Sequence, residues 1–254
     1  MNTARALGLD LGSTTAKLAA VDGEGRLLRG WVEPTAPAMA EQARALVARA
    51  EQELGARGLP LVATGYGRAL VPGARRQLTE ITCHARGAFQ AFGHGGTLLD
   101  VGGQDSKVIA LGPDGKVLHF AMNDKCAAGT GRFLEVAAQR LQIPLDAFGP
   151  LALSATAEES LSSTCAVFAE SEMISLLARG VPLAPIVRGL HRSLVRRVAS
   201  LARGAGARPP LLFSGGVARN PAVRALLAEE LGAPIEVPER PELSGAWGAA
   251  LLAG

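Results

Sequence analysis

The sequence predicts an α/β protein made of two copies of one unit, and three observations predict it. The stretch Leu9-Asp10-Leu11-Gly12-Ser13-Thr14-Thr15-Ala16-Lys17 returns ninety residues later, without a gap, as Leu99-Asp100-Val101-Gly102-Gly103-Gln104-Asp105-Ser106-Lys107. The match continues through Leu18–Val21 against Val108–Leu111 and a turn, Asp22-Gly23-Glu24-Gly25 against Gly112-Pro113-Asp114-Gly115. It closes on Arg26-Leu27-Leu28 against Lys116-Val117-Leu118. Matching apolar, Asp, Gly, Lys and turn positions at a constant offset argue for internal duplication. Strand-like and helix-like stretches then alternate along the chain, which is the order of an α/β fold.

Each copy reads as a strand, a tight loop, a second strand and a hairpin turn. After the first hairpin, Ala43, Leu46, Val47, Ala50 and Leu54 share one face of a helix over residues 38–56, closed by Gly55. Leu59 to Thr64 predicts a strand that leads into Thr64-Gly65-Tyr66-Gly67-Arg68. A helix around Ile81 to Ala88 ends the first half near Gly93 to Gly96. In the second half the hairpin spans Thr97 to Met122, and Leu134, Ala137, Ala138 and Leu141 start a helix near Gly129 to Arg132. Ser162-Ser163-Thr164-Cys165 precedes another helix carrying Ala166, Ala169, Met173 and Leu176. A long helix after Pro185 turns Val187, Leu190, Leu194, Val198 and Leu201 inward, with Arg188, Arg192, Arg196 and Arg197 mostly outward as a solvated face. Leu211 to Phe213 is a strand running into a Gly215-Gly216 loop, an Asn220 cap and Pro221 at the first helical position. Gly245 to Gly254 is an apolar helical segment packed on a domain. The expected domains are residues 1–94, completed by 243–254, and residues 95–242.

Composition bounds the function. A chain of 254 residues with 48% apolar content and a net charge of +3 is globular and gives no case for nucleic acid. No apolar run approaches a membrane span, and Met1 to Leu11 lacks the apolar region of a signal peptide, so a cytoplasmic protein is expected. Three widely spaced cysteines, an odd number, make no disulfide framework.

The loops point to phosphate. Small residues let backbone N–H groups converge on an anion, Ser13, Thr14 and Thr15 add hydroxyls, and Lys17 adds a point charge. An Asp at a strand end can hold hydrated magnesium. Each loop read singly is better taken as an ordinary glycine-rich hairpin with Asp capping a turn; the repetition reverses that preference and favours two loops gripping a nucleotide's phosphates. Glycines 215 and 216, at the end of a strand, suit a flat adenosine, though a plain turn reads the same way. Cys126 and Cys165 each stand just before a helix, where thiolates are favoured. Two buried structural cysteines would look alike, and one chain offers only two ligands where a four-iron cluster takes four, an arithmetic that closes on a two-fold axis.

Taken together, these motifs resemble the activator ATPases of 2-hydroxyacyl-CoA dehydratases and the related ATPase subunits of benzoyl-CoA reductases. Besides the two loops, the resemblance rests on Ala63-Thr64-Gly65-Tyr66-Gly67-Arg68, Cys83-His84-Ala85-Arg86-Gly87-Ala88 and Met122-Asn123-Asp124-Lys125-Cys126-Ala127-Ala128-Gly129-Thr130-Gly131-Arg132-Phe133-Leu134-Glu135. It continues through Ser163-Thr164-Cys165, Phe168-Ala169-Glu170-Ser171-Glu172 and Gly215-Gly216-Val217-Ala218-Arg219-Asn220. Nearly the whole chain is covered in order, and Leu243-Ser244-Gly245-Ala246-Trp247 is the least standard stretch.

The resemblance implies two duplicated ribonuclease-H-like domains of the actin-like ATPase fold with a nucleotide cleft between them. It implies an archerase-type homodimer holding one 4Fe-4S cluster through Cys126 and Cys165. ATP hydrolysis would drive one low-potential electron from ferredoxin or flavodoxin to a dehydratase or related reductase component. Gln104 or Asp105 would orient the attacking water, and Asp10 and Asp100 would position Mg2+. ATP and ADP would be held by Gly12, Ser13, Thr14, Thr15, Lys17, Gly102, Gly103, Lys125, Gly129, Thr130, Gly131, Glu135, Gly215, Gly216, Val217 and Asn220. Cys83 receives no ligand role. The rivals are a small-molecule kinase of the same fold and a non-catalytic nucleotide-dependent scaffold; neither needs cysteines at two helix starts, and the length leaves little room for an acceptor pocket, a filament surface or a peptide-binding domain.

Overall fold

A computed structural model of the chain describes residues 3–161 and 166–254. In order these form β1 (Ala6–Leu11), β2 (Thr15–Val21), β3 (Leu27–Pro34), α1 (Met39–Leu54), β4 (Leu61–Thr64), β5 (Arg76–Gln77), α2 (Glu80–Phe92), β6 (Gly96–Val101), β7 (Ser106–Leu111) and β8 (Val117–Asn123). Then follow α3 (Gly131–Arg140), α4 (Leu145–Ser154), α5 (Ala166–Ala178), α6 (Leu183–Gly204), β9 (Leu211–Ser214), α7 (Pro221–Leu231), β10 (Ile235–Glu236) and α8 (Ser244–Leu251).

The duplication is visible in the sheets. One has the order β3-β2-β1-β4-β5 and the other, read from its corresponding edge, β8-β7-β6-β9-β10, so each strand of the first has a counterpart at the same place in the second. In both, the strand that ends in the loop aspartate runs parallel to a later strand: Asp10 stands opposite Thr64 and Asp100 opposite Ser214. A second pair of equivalent turns follows from that register, Thr64-Gly65 and Ser214-Gly215.

Contacts divide the described residues into two units. The first runs to Gly96 and adds Ile109–His119 and Pro238–Gly254; the second is Thr97–Val108 with Phe120–Val237. The first is packed around Leu7, Leu9, Leu11, Leu18 and Leu46. In it α8 lies directly on β1 and α2, because Gly8, Gly87 and Gly248 carry no Cβ to press on the backbone opposite. The second unit has a larger core, in which Phe133, Phe148, Ile186, Leu190, Leu194, Phe213 and Val223 are buried.

α6 departs from the expected solvated arginine face. Arg192 is only 8% exposed, and its guanidinium bonds Glu158 at 3.0 Å and Glu229 at 2.9 Å, with Glu230 at 3.9 Å. Leu201 is half-buried, and α6 begins at Leu183, ahead of Pro185. Arg192→Ala is expected to destabilise the fold by about 2 kcal/mol, because carboxylates gathered around one cation then repel one another. Partial exposure of the carboxylates holds the cost there. A denaturation midpoint at wild-type level would show that the cluster contributes nothing.

Next to Arg192 in the same helix, His191 is fully buried. Its Nδ1 can only donate to the Val187 carbonyl at 2.8 Å, so Nε2 accepts from Asn220 Nδ2 at 2.9 Å and the ring is neutral. Burial pushes its pKa down to about 4, against the opposing effect of the Val187 bond. The unfolded chain therefore binds a proton between about pH 6.5 and 4 that the folded chain does not. Stability should fall as pH drops through that window, by about 3 kcal/mol from this ring, and level off below it. His191→Gln is expected to flatten that part of the profile.

Candidate functional site

The two aspartate-glycine loops fold alike. Gly12 N–H donates to Thr15 O at 3.2 Å, and Gly102 N–H donates to Asp105 O at 2.9 Å, so each loop is one tight turn between antiparallel strands. A side chain at Gly12 would run into the Thr15 carbonyl, and one at Gly102 into Asp105. In the first loop Thr35 braces the turn: its N–H donates to Thr14 O at 2.9 Å and its hydroxyl to Gly12 O at 2.7 Å. Thr14 Oγ1 is buried without a hydrogen-bond partner. A buried hydroxyl left unpaired costs about 1–3 kcal/mol and marks a place where a ligand oxygen fits.

Both lysines are engaged by aspartates. Lys17 Nζ lies 3.4 Å from Asp10 Oδ2. Lys107 Nζ, itself buried, lies 2.6 Å from Asp105 Oδ2 and 3.7 Å from Asp100 Oδ2. Ser214 Oγ donates to Asp100 Oδ1 at 2.7 Å. Asp10 and Asp100 are almost wholly buried at strand ends, whereas Gln104 is exposed at the loop tip. Among the described residues no group of three or more His, Cys, Asp or Glu side chains converges to hold a metal ion.

The second loop is tied to the segment that carries Cys126. The first two amides of α3, Gly131 N–H and Arg132 N–H, donate to Gly102 O at 2.9 Å and Gly103 O at 2.8 Å. Gly131 touches Val217, Gly102 and Gly103, so its missing side chain lets the loops close on one another. Thr130 Oγ1 donates to Ala127 O, Ser106 Oγ to Gly129 O, and Glu135 pairs with Arg132 at 3.3 Å. Lys125 is exposed. Gly215, at φ +87°, would drive a side chain into the Val101 backbone, whereas Gly216 opens on free space. Val217 is buried. Asn220 is occupied within the protein: Oδ1 accepts from Ala222 N–H and Val223 N–H while Nδ2 donates to His191.

Cys126 is a free, exposed thiol. Asn123 fixes its backbone from both sides, accepting from Cys126 N–H at 3.2 Å and donating to Cys126 O at 2.9 Å. The Arg197 guanidinium approaches its sulfur at 4.0 Å. Cys165 lies outside the described residues. Cys83 is fully buried, and burial first, then the charges of Asp10 and Glu80, pushes its pKa up to about 11. It is a protonated thiol in the core.

Ser214, Thr64, Lys107 and His84 belong to the loop architecture but were not among the expected site residues. The signal for the first two is a hydroxyl followed by glycine after each of two short strands. Lys107 stood in the repeat, and His84 is placed by tertiary packing alone.

Two five-stranded mixed sheets of matching order, each with an aspartate near the end of its central strand and a phosphate-sized turn after it, make up the actin-like ATPase fold. The chain belongs to the BadF/BadG/BcrA/BcrD ATPase family, whose sequence pattern matches residues 7–253. It is 40% identical over 253 residues to the 2-hydroxyisocaproyl-CoA dehydratase activator of Clostridioides difficile, covering 97% of this chain and 94% of the relative. It is 45% identical over 193 residues to the (R)-2-hydroxyglutaryl-CoA dehydratase activating ATPase of Acidaminococcus fermentans, covering 76% of this chain and 74% of that one. The solved structure of the activator of the 2-hydroxyisocaproyl-CoA dehydratase from Clostridium difficile with bound ADPNP superimposes with a TM-score of 0.92. The identity is 39%, over 100% of this chain and 94% of the other. Among the described residues no helix is long and apolar enough to cross a membrane.

Proposed function

We propose that this ATPase activates a 2-hydroxyacyl-CoA dehydratase or a related reductase component. ATP hydrolysis would drive one low-potential electron, received from ferredoxin or flavodoxin, through a 4Fe-4S cluster shared by two copies of the chain in the cytoplasm. The observation that carries the reading is the match, over nearly its whole length, to a protein that is a dehydratase activator.

The residues present fit both groups. For the nucleotide, the fit lies in the orphaned Thr14 hydroxyl and in turns that a side chain at residue 12, 102 or 215 would fill. Ser13, Thr14, Thr15, Gly102 and Gly103 would take phosphate oxygens, and Gly215 and Gly216 the adenosine. Asp10 and Asp100 would hold Mg2+ through water. Because Asp105 is drawn to Lys107, the exposed Gln104 is the better placed of the two to orient a water molecule. For the cluster, the fit is an exposed, unbridged thiol on a backbone that Asn123 holds ready. Cys126 and Cys165 of each copy would be the ligands, and when bound the cluster would supply a one-electron carrier of low potential. The link between the two chemistries is the pair of bonds from α3 amides to the Gly102 and Gly103 carbonyls. A shift of the second phosphate loop pulls on the same segment that presents Cys126.

The decisive experiment is iron, sulfide, visible absorption and mass in solution on protein purified without oxygen. About four irons per dimer, bleached by reductant and lost in air, are expected. An iron-free monomer that still binds ATP would overturn the reading and favour a kinase.

A further inference from the structure

The carboxylate of Asp10 stands among three glycines. A Cβ at Gly65 would come within 2.5 Å of Oδ1, one at Gly245 within 3.1 Å of Oδ2, and one at Gly12 within 3.8 Å of Oδ1. The point above Gly245 also lies 2.8 Å from Nε2 of His84 and 3.1 Å from its Cε1. The imidazole edge and the carboxylate thus both border the space over the bare α-carbon of Gly245, and the nearest atoms to that point are these side-chain atoms rather than backbone. His84, in α2, is 6% exposed, and Gly245 is buried in α8.

The duplication shows what this arrangement replaces. In the second copy a hydroxyl fixes the aspartate, Ser214 Oγ donating to Asp100 Oδ1 at 2.7 Å. Thr64 is the equivalent residue of the first copy, but its hydroxyl donates to Leu78 O at 3.1 Å and its one proton is spent there. Thr64 therefore gives Asp10 no such hydroxyl-to-carboxylate bond; Asp10 pairs with Lys17 and shares with the His84 ring the space over Gly245. Packing alone would be served by an apolar side chain at residue 84 and would not require residue 245 to be bare opposite two polar atoms.

We propose that His84 and Gly245 are positioning residues: the ring and the empty space over Gly245 together set the direction in which Asp10 presents its carboxylate. This rests on the reading that Asp10 serves the magnesium of bound ATP. The least standard stretch near the C-terminus and the motif around Cys83 then have one purpose between them.

The test is ATP hydrolysis as a function of free Mg2+ at saturating ATP on the full-length protein, with thermal midpoints and nucleotide affinity without Mg2+. Gly245→Ala and His84→Leu should each raise the Mg2+ concentration for half-maximal rate at least tenfold, with metal-free nucleotide affinity within twofold of wild type. His84→Gln, whose amide nitrogen reaches the place of Nε2, should restore it to within threefold. His84→Asn, which reaches only the place of Nδ1, should not. Gly204→Ala, at a position open to free space, serves as the control with no shift. Unchanged Mg2+ dependence in Gly245→Ala and His84→Leu, both folded, would overturn the proposal while leaving Asp10 in its role. Wild-type hydrolysis that ignores Mg2+ would overturn both.

Discussion

Cys126→Ser is expected to reduce iron to background and to abolish visible absorption in anaerobically purified protein, while the chain keeps its fold and its ATP binding. The argument is chemical. A serine hydroxyl is not deprotonated near neutral pH and is a hard oxygen donor, where iron-sulfur clusters take soft thiolates. The side chain is exposed, so its exchange removes no core packing and should cost within about 0.5 kcal/mol of stability. The backbone bonds to Asn123 do not involve the sulfur and survive. Cys83→Ser is the contrast: its thiol is buried and held protonated, so iron should stay while stability falls. Full iron in Cys126→Ser, measured against protein, would remove Cys126 from the ligand set.

How much of this was legible in the sequence depends on the distance over which each feature is encoded. The hairpins could be read because apolar alternation, Asp-Gly and the turn residues are local, and the constant offset of ninety residues made two weak signals into one strong one. α1 and α7 were found from apolar spacing and their glycine or asparagine caps for the same reason. The Thr64-Gly65 and Ser214-Gly215 turns are equally equivalent in space, yet they lie 150 residues apart, since the second copy carries four helices, α3 to α6, where the first carries α1 alone. No fixed period reveals them. Arg192 looked solvated because helical spacing shows which side a residue faces but not which carboxylates wait there; Glu158, Glu229 and Glu230 come from other segments. His84 and Gly245 come to the neighbourhood of Asp10 only through the packing of α2 and α8 in the first unit, which no local apolar spacing announces.

Gln104→Ala is expected to lower the rate of ATP hydrolysis about a hundredfold or more, with ATP affinity within about twofold. A group that orients water acts in the transition state and contributes little to holding the nucleotide, so the effect belongs in kcat. The geometry separates it from its neighbour. Gln104 is exposed at the tip of a turn already closed by the Gly102–Asp105 bond, so truncation leaves the loop intact. Asp105 holds Lys107 at 2.6 Å, and Lys107 also faces Asp100. Asp105→Asn should therefore disturb the loop and the Asp100 carboxylate together, weakening ATP binding as well as turnover. Two signatures follow from adjacent residues: a fall in kcat alone for Gln104→Ala, and a fall in kcat with a rise in KM for Asp105→Asn. Measured steady-state constants that reverse this pattern would make Asp105 the residue that orients the water, and full activity in both variants would place that role outside the second loop.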